Sequence, residues 1–227
     1  MKISKILLST AVLASLSIIA FADDVNAANV KSNQIYVGAE AGAGDMGFDL
    51  NKYKSYALAN NGSYDIKQNN FYGAIHAGML FPVTDALSLG GQVGYQMFGD
   101  HSAEASETIG NTTNSSKESE KISDFNAVAV IQGTYDNFFA NVNGGLGYFM
   151  VRNSGSITNY NTGAVSVAPK SKNSVEPIAG LEAGYNFTDH FNTYLAYNHV
   201  FGSNTNNDFS NKVPTMNTFG LGVNYVF

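Results

Sequence analysis

Glu40, His76, Gln92, Asn143 and Glu182 are five side chains of this 227-residue sequence that stand where they could act together. Each occupies the polar phase of a stretch in which apolar and polar residues alternate, at about the same distance from one end of that stretch. Two carboxylates beside one imidazole make a polar centre whose charge responds to pH near neutrality. The expectation is an interior network in which His76 pairs with Glu40 or Glu182. The same five residues can equally form a packed, hydrogen-bonded plug without catalysis, since buried polar groups must find partners anyway. A second set, His199, Ser203 and Glu176, has the residue types of a base, a nucleophile and an orienting acid. In the string His-Val-Phe-Gly-Ser the His and Ser share a strand phase but stand four residues apart. That spacing predicts no working pair, and no catalytic, metal or cofactor site is expected.

The elements that must position these residues are strands. Residues 213–227 place Phe219, Leu221, Val223, Tyr225 and Phe227 on one face at period two, and Thr218, Gly220, Gly222 and Asn224 on the other with Val226. Side chains of a strand alternate between faces, so one side is greasy and aromatic and the other small and polar. Seven further alternating segments precede it, at 35–44, 70–81, 87–98, 122–135, 138–151, 176–187 and 191–201. Their connections alternate between long polar stretches (45–68, 100–121, 153–174, 203–212) and short turns (82–85, 136–137, 188–190). An even-numbered meander with long loops at one end and short turns at the other predicts an all-β fold, an eight-stranded antiparallel up-and-down transmembrane β-barrel. Its greasy face would meet lipid and its small polar face the lumen. Phe81, Tyr135, Phe138, Phe187 and Phe191 flank the short turns, and with no Trp in the chain, Tyr and Phe must build both interfacial girdles.

Composition agrees with this reading. Mean hydropathy is only −0.10, as expected when lumen and loops dilute a lipid face. The lysines and the one arginine, Arg152, lie in connections or where strands run out. With 12 Lys+Arg against 18 Asp+Glu, the net charge of −6 excludes a nucleic-acid partner. Cysteine is absent, which removes disulfides and thiolate chemistry. Residues 1–22 read as a secretory signal peptide: Lys2 and Lys5, an apolar run, then Ala20-Phe21-Ala22 before two aspartates, with a second possible cut after Ala27. The barrel domain is expected over 23–227.

The segments Tyr-Val-Gly-Ala-Glu-Ala-Gly (36–42), Gly-Leu-Glu-Ala-Gly-Tyr-Asn-Phe (180–187) and Gly-Leu-Gly-Val-Asn-Tyr-Val-Phe (220–227) resemble the small eight-stranded outer-membrane family of OmpA transmembrane domains and OmpX. The ending on Phe227 resembles the terminal aromatic signature that the barrel assembly machinery of bacterial outer membranes reads. The resemblance implies localisation in the bacterial outer membrane, with periplasmic termini, extracellular long loops, and outer-membrane lipid and lipopolysaccharide as surroundings. It implies a surface-exposed envelope component that acts through its loops in adhesion, host-surface interaction or envelope integrity. The alternative is a narrow channel gated or plugged by the Glu40–His76–Glu182 layer. A third is a lipid-modifying enzyme, since His199 and Ser203 resemble the pair of outer-membrane lipid A deacylases, which is spaced His-x-Ser rather than as here. The peptidoglycan-binding domain of the OmpA family is not expected, because the sequence stops at the barrel.

Overall fold

The alternating stretches pair with their neighbours in the chain and close on themselves. The computed structural model describes residues 32–45, 51–59, 61–68, 70–109, 112–159, 163–203 and 212–227; the expected signal peptide lies outside them. The elements are β1 (Gln34–Asp45), α1 (Asn51–Ala59), β2 (Tyr64–Gln68), β3 (Phe71–Pro82), β4 (Leu87–Phe98), β5 (His101–Ile109), β6 (Thr112–Tyr135), β7 (Phe138–Asn159), β8 (Gly163–Asn186), β9 (Phe191–Val200) and β10 (Met216–Val226). Eight strands make the ring in the order β1-β3-β4-β6-β7-β8-β9-β10, and β10 returns to β1 with Tyr36 opposite Val226 and Ala43 opposite Phe219. Every pairing is antiparallel. Closure removes the open edges that would leave backbone groups unsatisfied in lipid.

The polarity of the ring is that of a membrane-spanning barrel. Outward side chains are large, apolar and open: Ile75 is 63% exposed, Val93 60%, Leu195 66% and Leu221 60%. Lumen-facing Tyr72 and Phe149 are fully buried. Aromatics bound this band at both ends. Tyr95, Phe125 and Tyr148 lie opposite one another on β4, β6 and β7, with the first two rings 4.7 Å apart. At the short-turn end Phe138 meets Tyr185 at 5.0 Å, and Phe191 and Phe227 meet Tyr225 at 5.0 and 4.9 Å. Phe138 and Tyr148 stand ten residues apart on β7. At about 3.4 Å per residue and a tilt of about 35–45°, this is about 24–28 Å along the barrel axis, the height of an apolar membrane band. The chain folds as an eight-stranded transmembrane β-barrel.

Short turns fix the lower rim. Thr84 and Thr188 play the same part in two of them, each hydroxyl accepting the N–H groups two and three residues on (Ala86 and Leu87; His190 and Phe191). The third turn passes through Asp136 at φ 51°, a left-handed conformation that Asp tolerates.

The long connections differ from the sequence expectation. Residues 100–121 and 153–174 are not loops alone: they carry β5, the first half of β6, the end of β7 and the start of β8. Within 45–68 lie α1 and β2, while residues 204–211 of the last connection fall outside the described set. β2, β5 and the extended parts of β6, β7 and β8 form a five-stranded wing above the ring, interrupted only by a register shift between Asn153 and Gly155. Hydrophobic alternation marks a strand only when one face is buried. The wing carries Ser, Thr, Asn and Glu in both phases, even where one face of β5 is buried, and gives no such signal.

Candidate functional site in the barrel lumen

Inside the ring, three layers stack. Towards the short turns, Tyr36, Leu80, Val128 and Val130 form one small apolar cluster, and Phe139, Tyr194 and Ala196 form a separate one on the opposite wall. Tyr72, Phe98, Ile122, Phe149, Val151, Ile178 and Val200 form another towards the long connections. Val213 and Met216, from the return of the last connection, are fully buried in that upper cluster. Between the two ends lies the polar layer.

All five residues singled out from the sequence line one cavity of about 20 Å³ in this layer: Glu40, His76, Gln92, Asn143 and Glu182. That is room for about one water molecule. Period-two phase alone puts them there. Their partners are different from those expected. His76 pairs with neither carboxylate: its Nε2 lies 2.7 Å from Asn224 Oδ1 and 3.5 Å from the Tyr194 hydroxyl. Glu40 accepts a hydrogen bond from the hydroxyl of Tyr72, with Tyr194 close by. Glu182 accepts from Asn141 Nδ2 at 2.7 Å and Asn143 Nδ2 at 3.2 Å. Gln92 Oε1 accepts from the Tyr36 hydroxyl at 2.9 Å. Asn224 donates onward to Asn192 Oδ1 at 3.0 Å.

The result is a chain of polar contacts, Tyr72–Glu40 and beside it Tyr194–His76–Asn224–Asn192, running across the lumen. Every lysine or arginine whose side chain is described is exposed, so none of these enters the layer. Tyr36, Tyr72, Asn141, Asn192, Tyr194 and Asn224 are the members missing from the sequence-level cluster. Their lumen phase is visible in the sequence, but nothing in spacing says which would meet which. Glycines clear the space: a Cβ on Gly220 would stand 2.0 Å from the Tyr72 hydroxyl oxygen, and one on Gly222 2.0 Å from the Tyr194 ring.

Solved structures similar to this chain include the attachment invasion locus protein Ail of Yersinia pestis (11% identity, 86% of this chain and 97% of that one, TM-score 0.48). They also include the N-terminal β-barrel domain of Pseudomonas aeruginosa OprF (13% identity, 86% and 100%, TM-score 0.40) and Neisserial surface protein A (14% identity, 87% and 100%, TM-score 0.39). No family model matches the sequence. An uncharacterized protein of Coxiella burnetii (strain RSA 493 / Nine Mile phase I) is 31% identical over 103 residues, which are 40% of this chain and 41% of that protein.

The second set from the sequence does not assemble. Ser203 Oγ donates to Glu176 Oε1 at 2.7 Å, while His199 Nδ1 lies 2.8 Å from Asn217 Oδ1 and its ring packs on Phe201 at 4.4 Å. Base and nucleophile are held by different partners, and Glu176 meets the serine rather than the histidine. Among the described residues no group of three His, Asp or Glu side chains is arranged to hold a metal ion. The residues of the C-terminal pattern, Phe219, Leu221, Val223, Tyr225 and Phe227, are all exposed on the outward face. What the lumen layer can do chemically is hold seven of the eight strands in register, since its bonds join β1 to β3 and β4, β3 to β10, β10 to β9 and β7 to β8.

Proposed function

We propose that this protein is a surface-exposed component of the bacterial outer membrane that works through its wing and long connections, with the barrel as a closed scaffold. The observation that carries the reading is the filling of the lumen. Two apolar clusters, one capped by Val213 and Met216, lie on either side of a hydrogen-bonded layer whose cavity holds about one water. Hydrophobic constrictions exclude water and ions, so a lumen packed this way favours a scaffold over the alternative channel.

The wing is the part free to meet a partner. Its Ser/Thr/Asn/Glu surface is presented by hydrogen-bonded strands rather than by open loops, and binding function belongs to segments held on a rigid scaffold. In this reading the short turns and termini are periplasmic and the wing is extracellular, among lipopolysaccharide and host-surface molecules. The barrel assembly machinery takes the Phe219–Phe227 face as its signal. Single-channel recording of the refolded barrel in a planar bilayer tests the scaffold reading. Silence at neutral and acid pH is the expected result. Steady openings would make the channel the better reading, and their loss in His76→Ala would make the polar layer its gate.

A further inference from the structure

One depression in the described part of the lipid-facing wall lies near the short turns. On β6, β7 and β8 the residues Gly133, Ala140 and Ala183 lie directly opposite one another, a row with almost no side-chain bulk. The row ends against Leu195 on β9, opposite Ala183. Phe138 and Tyr185, also opposite each other, wall it on the short-turn side. Together these residues bound a trough of about 1050 Å³, nearly all apolar, in the outer surface of the barrel. That reaches the upper end of the range of about 300–1,000 Å³ in which sites enclose whole ligands. A lipid-facing surface has no need of such a depression, because acyl chains cover a convex wall equally well.

The charge around the trough says what kind of molecule fits. Its lining reaches the short turns at Ala86 and Tyr135, which adjoin Asp85 and Asp136, and the third short turn carries Asp189. No lysine or arginine lies in any of the three turns. Asp85 is next to Ala86, which lines the trough, and Ala86 is tied by its carbonyl to the Thr134 N–H. One Asp85 carboxylate oxygen is buried and takes no hydrogen bond. Asp136 directly precedes the Asn137–Phe138 corner of the wall.

We propose that this trough is a binding site for a phospholipid with a primary ammonium headgroup, such as phosphatidylethanolamine. An acyl chain lies along the Gly133–Ala140–Ala183 row, and the ammonium is placed at Asp85 and Asp136. The row supplies apolar area without lost side-chain entropy, and the carboxylates select the headgroup by charge and hydrogen bonding. An anionic headgroup would meet like charge at the same rim. The site rests on the barrel crossing a membrane and not on the direction in which it does so.

The test is native mass spectrometry of the barrel released from nanodiscs of equimolar phosphatidylethanolamine, phosphatidylglycerol and phosphatidylcholine. The expected result is one retained lipid per barrel, with phosphatidylethanolamine favoured about three- to fivefold over each of the other two lipids, the size one or two solvent-accessible ion pairs give. Ala140→Phe with Ala183→Phe fills the trough from the lipid side, leaves the lumen untouched, and is expected to abolish retention. Asp85→Asn with Asp136→Asn is expected to keep a retained lipid and lose the preference. Retained lipid of bulk composition in the unaltered protein would overturn the proposal. So would retention unchanged by filling, or a lipid-free dimer covering the trough. The heat-dependent gel shift of a folded barrel checks each variant, and the aspartate pair keeps the test decisive where the filled variant fails to fold.

Discussion

His76 Nε2 and Asn224 Oδ1 meet at 2.7 Å directly over Gly38, so that β3 and β10 are joined across the strand between them. A Cβ on Gly38 would stand 2.0 Å from the Asn224 oxygen, 2.4 Å from the His76 nitrogen and 2.7 Å from the backbone carbonyl of Val223. The two side chains could be pushed aside, but the carbonyl could not. Gly38→Ala is therefore expected to destabilise the barrel by about 1–3 kcal/mol, the cost of overpacking a filled interior. Urea unfolding in lipid vesicles measures it, and an unchanged midpoint would show that the His76–Asn224 bond is not held as described.

Removing one hydroxyl tests the carboxylate end of the same chain. Tyr72 is fully buried and donates to Glu40. Tyr72→Phe keeps the ring in its apolar cluster and takes away only the donor. A buried acceptor that loses a partner costs about 1–3 kcal/mol, more when it is charged. Tyr36→Phe removes a bond to the neutral amide of Gln92 and is expected to cost less. Equal losses in the two variants would place no special weight on the Glu40 end.

How much of this is legible in the sequence can be read from Glu40 and His76. Period two puts both in the lumen, because every ring strand buries one face in the barrel and turns the other to lipid. Counting residues from the short turns suggests that they pair. In the barrel the strands tilt and stagger, so equal counts along two strands are not equal heights along the axis. Glu40 thus reaches the Tyr72 hydroxyl, and His76 reaches Asn224. The wing is illegible for another reason. His101, Ala103 and Ala105 do alternate inward on β5, but polar residues fill both phases around them and the apolar signal vanishes.

The lipid face predicts its own sensitivity. Leu221 lies mid-strand on β10, between Phe219 and the Tyr225 girdle, and is 60% exposed. Leu221→Arg is expected to cost about 2–4 kcal/mol in a bilayer, as a cation does near the membrane midplane. The same change at Lys121, already charged and 66% exposed beside Asp100 at 2.9 Å, is expected to be near neutral. Refolding yields in lipid vesicles separate the two, and equal tolerance would argue against the membrane boundary drawn at Phe125 and Tyr148.

Acid should loosen the wing before the barrel. His101 lies beyond the Phe125 girdle, opposite Glu120 and next to Asp100, and is 2% exposed, with its Nδ1 2.9 Å from the Gly99 carbonyl. Burial holds its pKa below the ordinary 6.5, against the smaller upward pull of the Gly99 bond and Asp100. The folded wing therefore binds a proton less readily than the opened one. The contribution of the neutral ring is complete above about 6.5 and is lost as pH falls from there through the folded value. Hydrogen exchange of the β5 amides, corrected for the intrinsic rate, is expected to quicken between pH 7 and 5 while β3 and β10 stay protected. His101→Gln should flatten that dependence, because it removes the titrating ring and leaves a polar side chain of similar reach. A wing that opens equally at both pH values would mean that the Glu120 and Asp100 carboxylates already hold His101 charged.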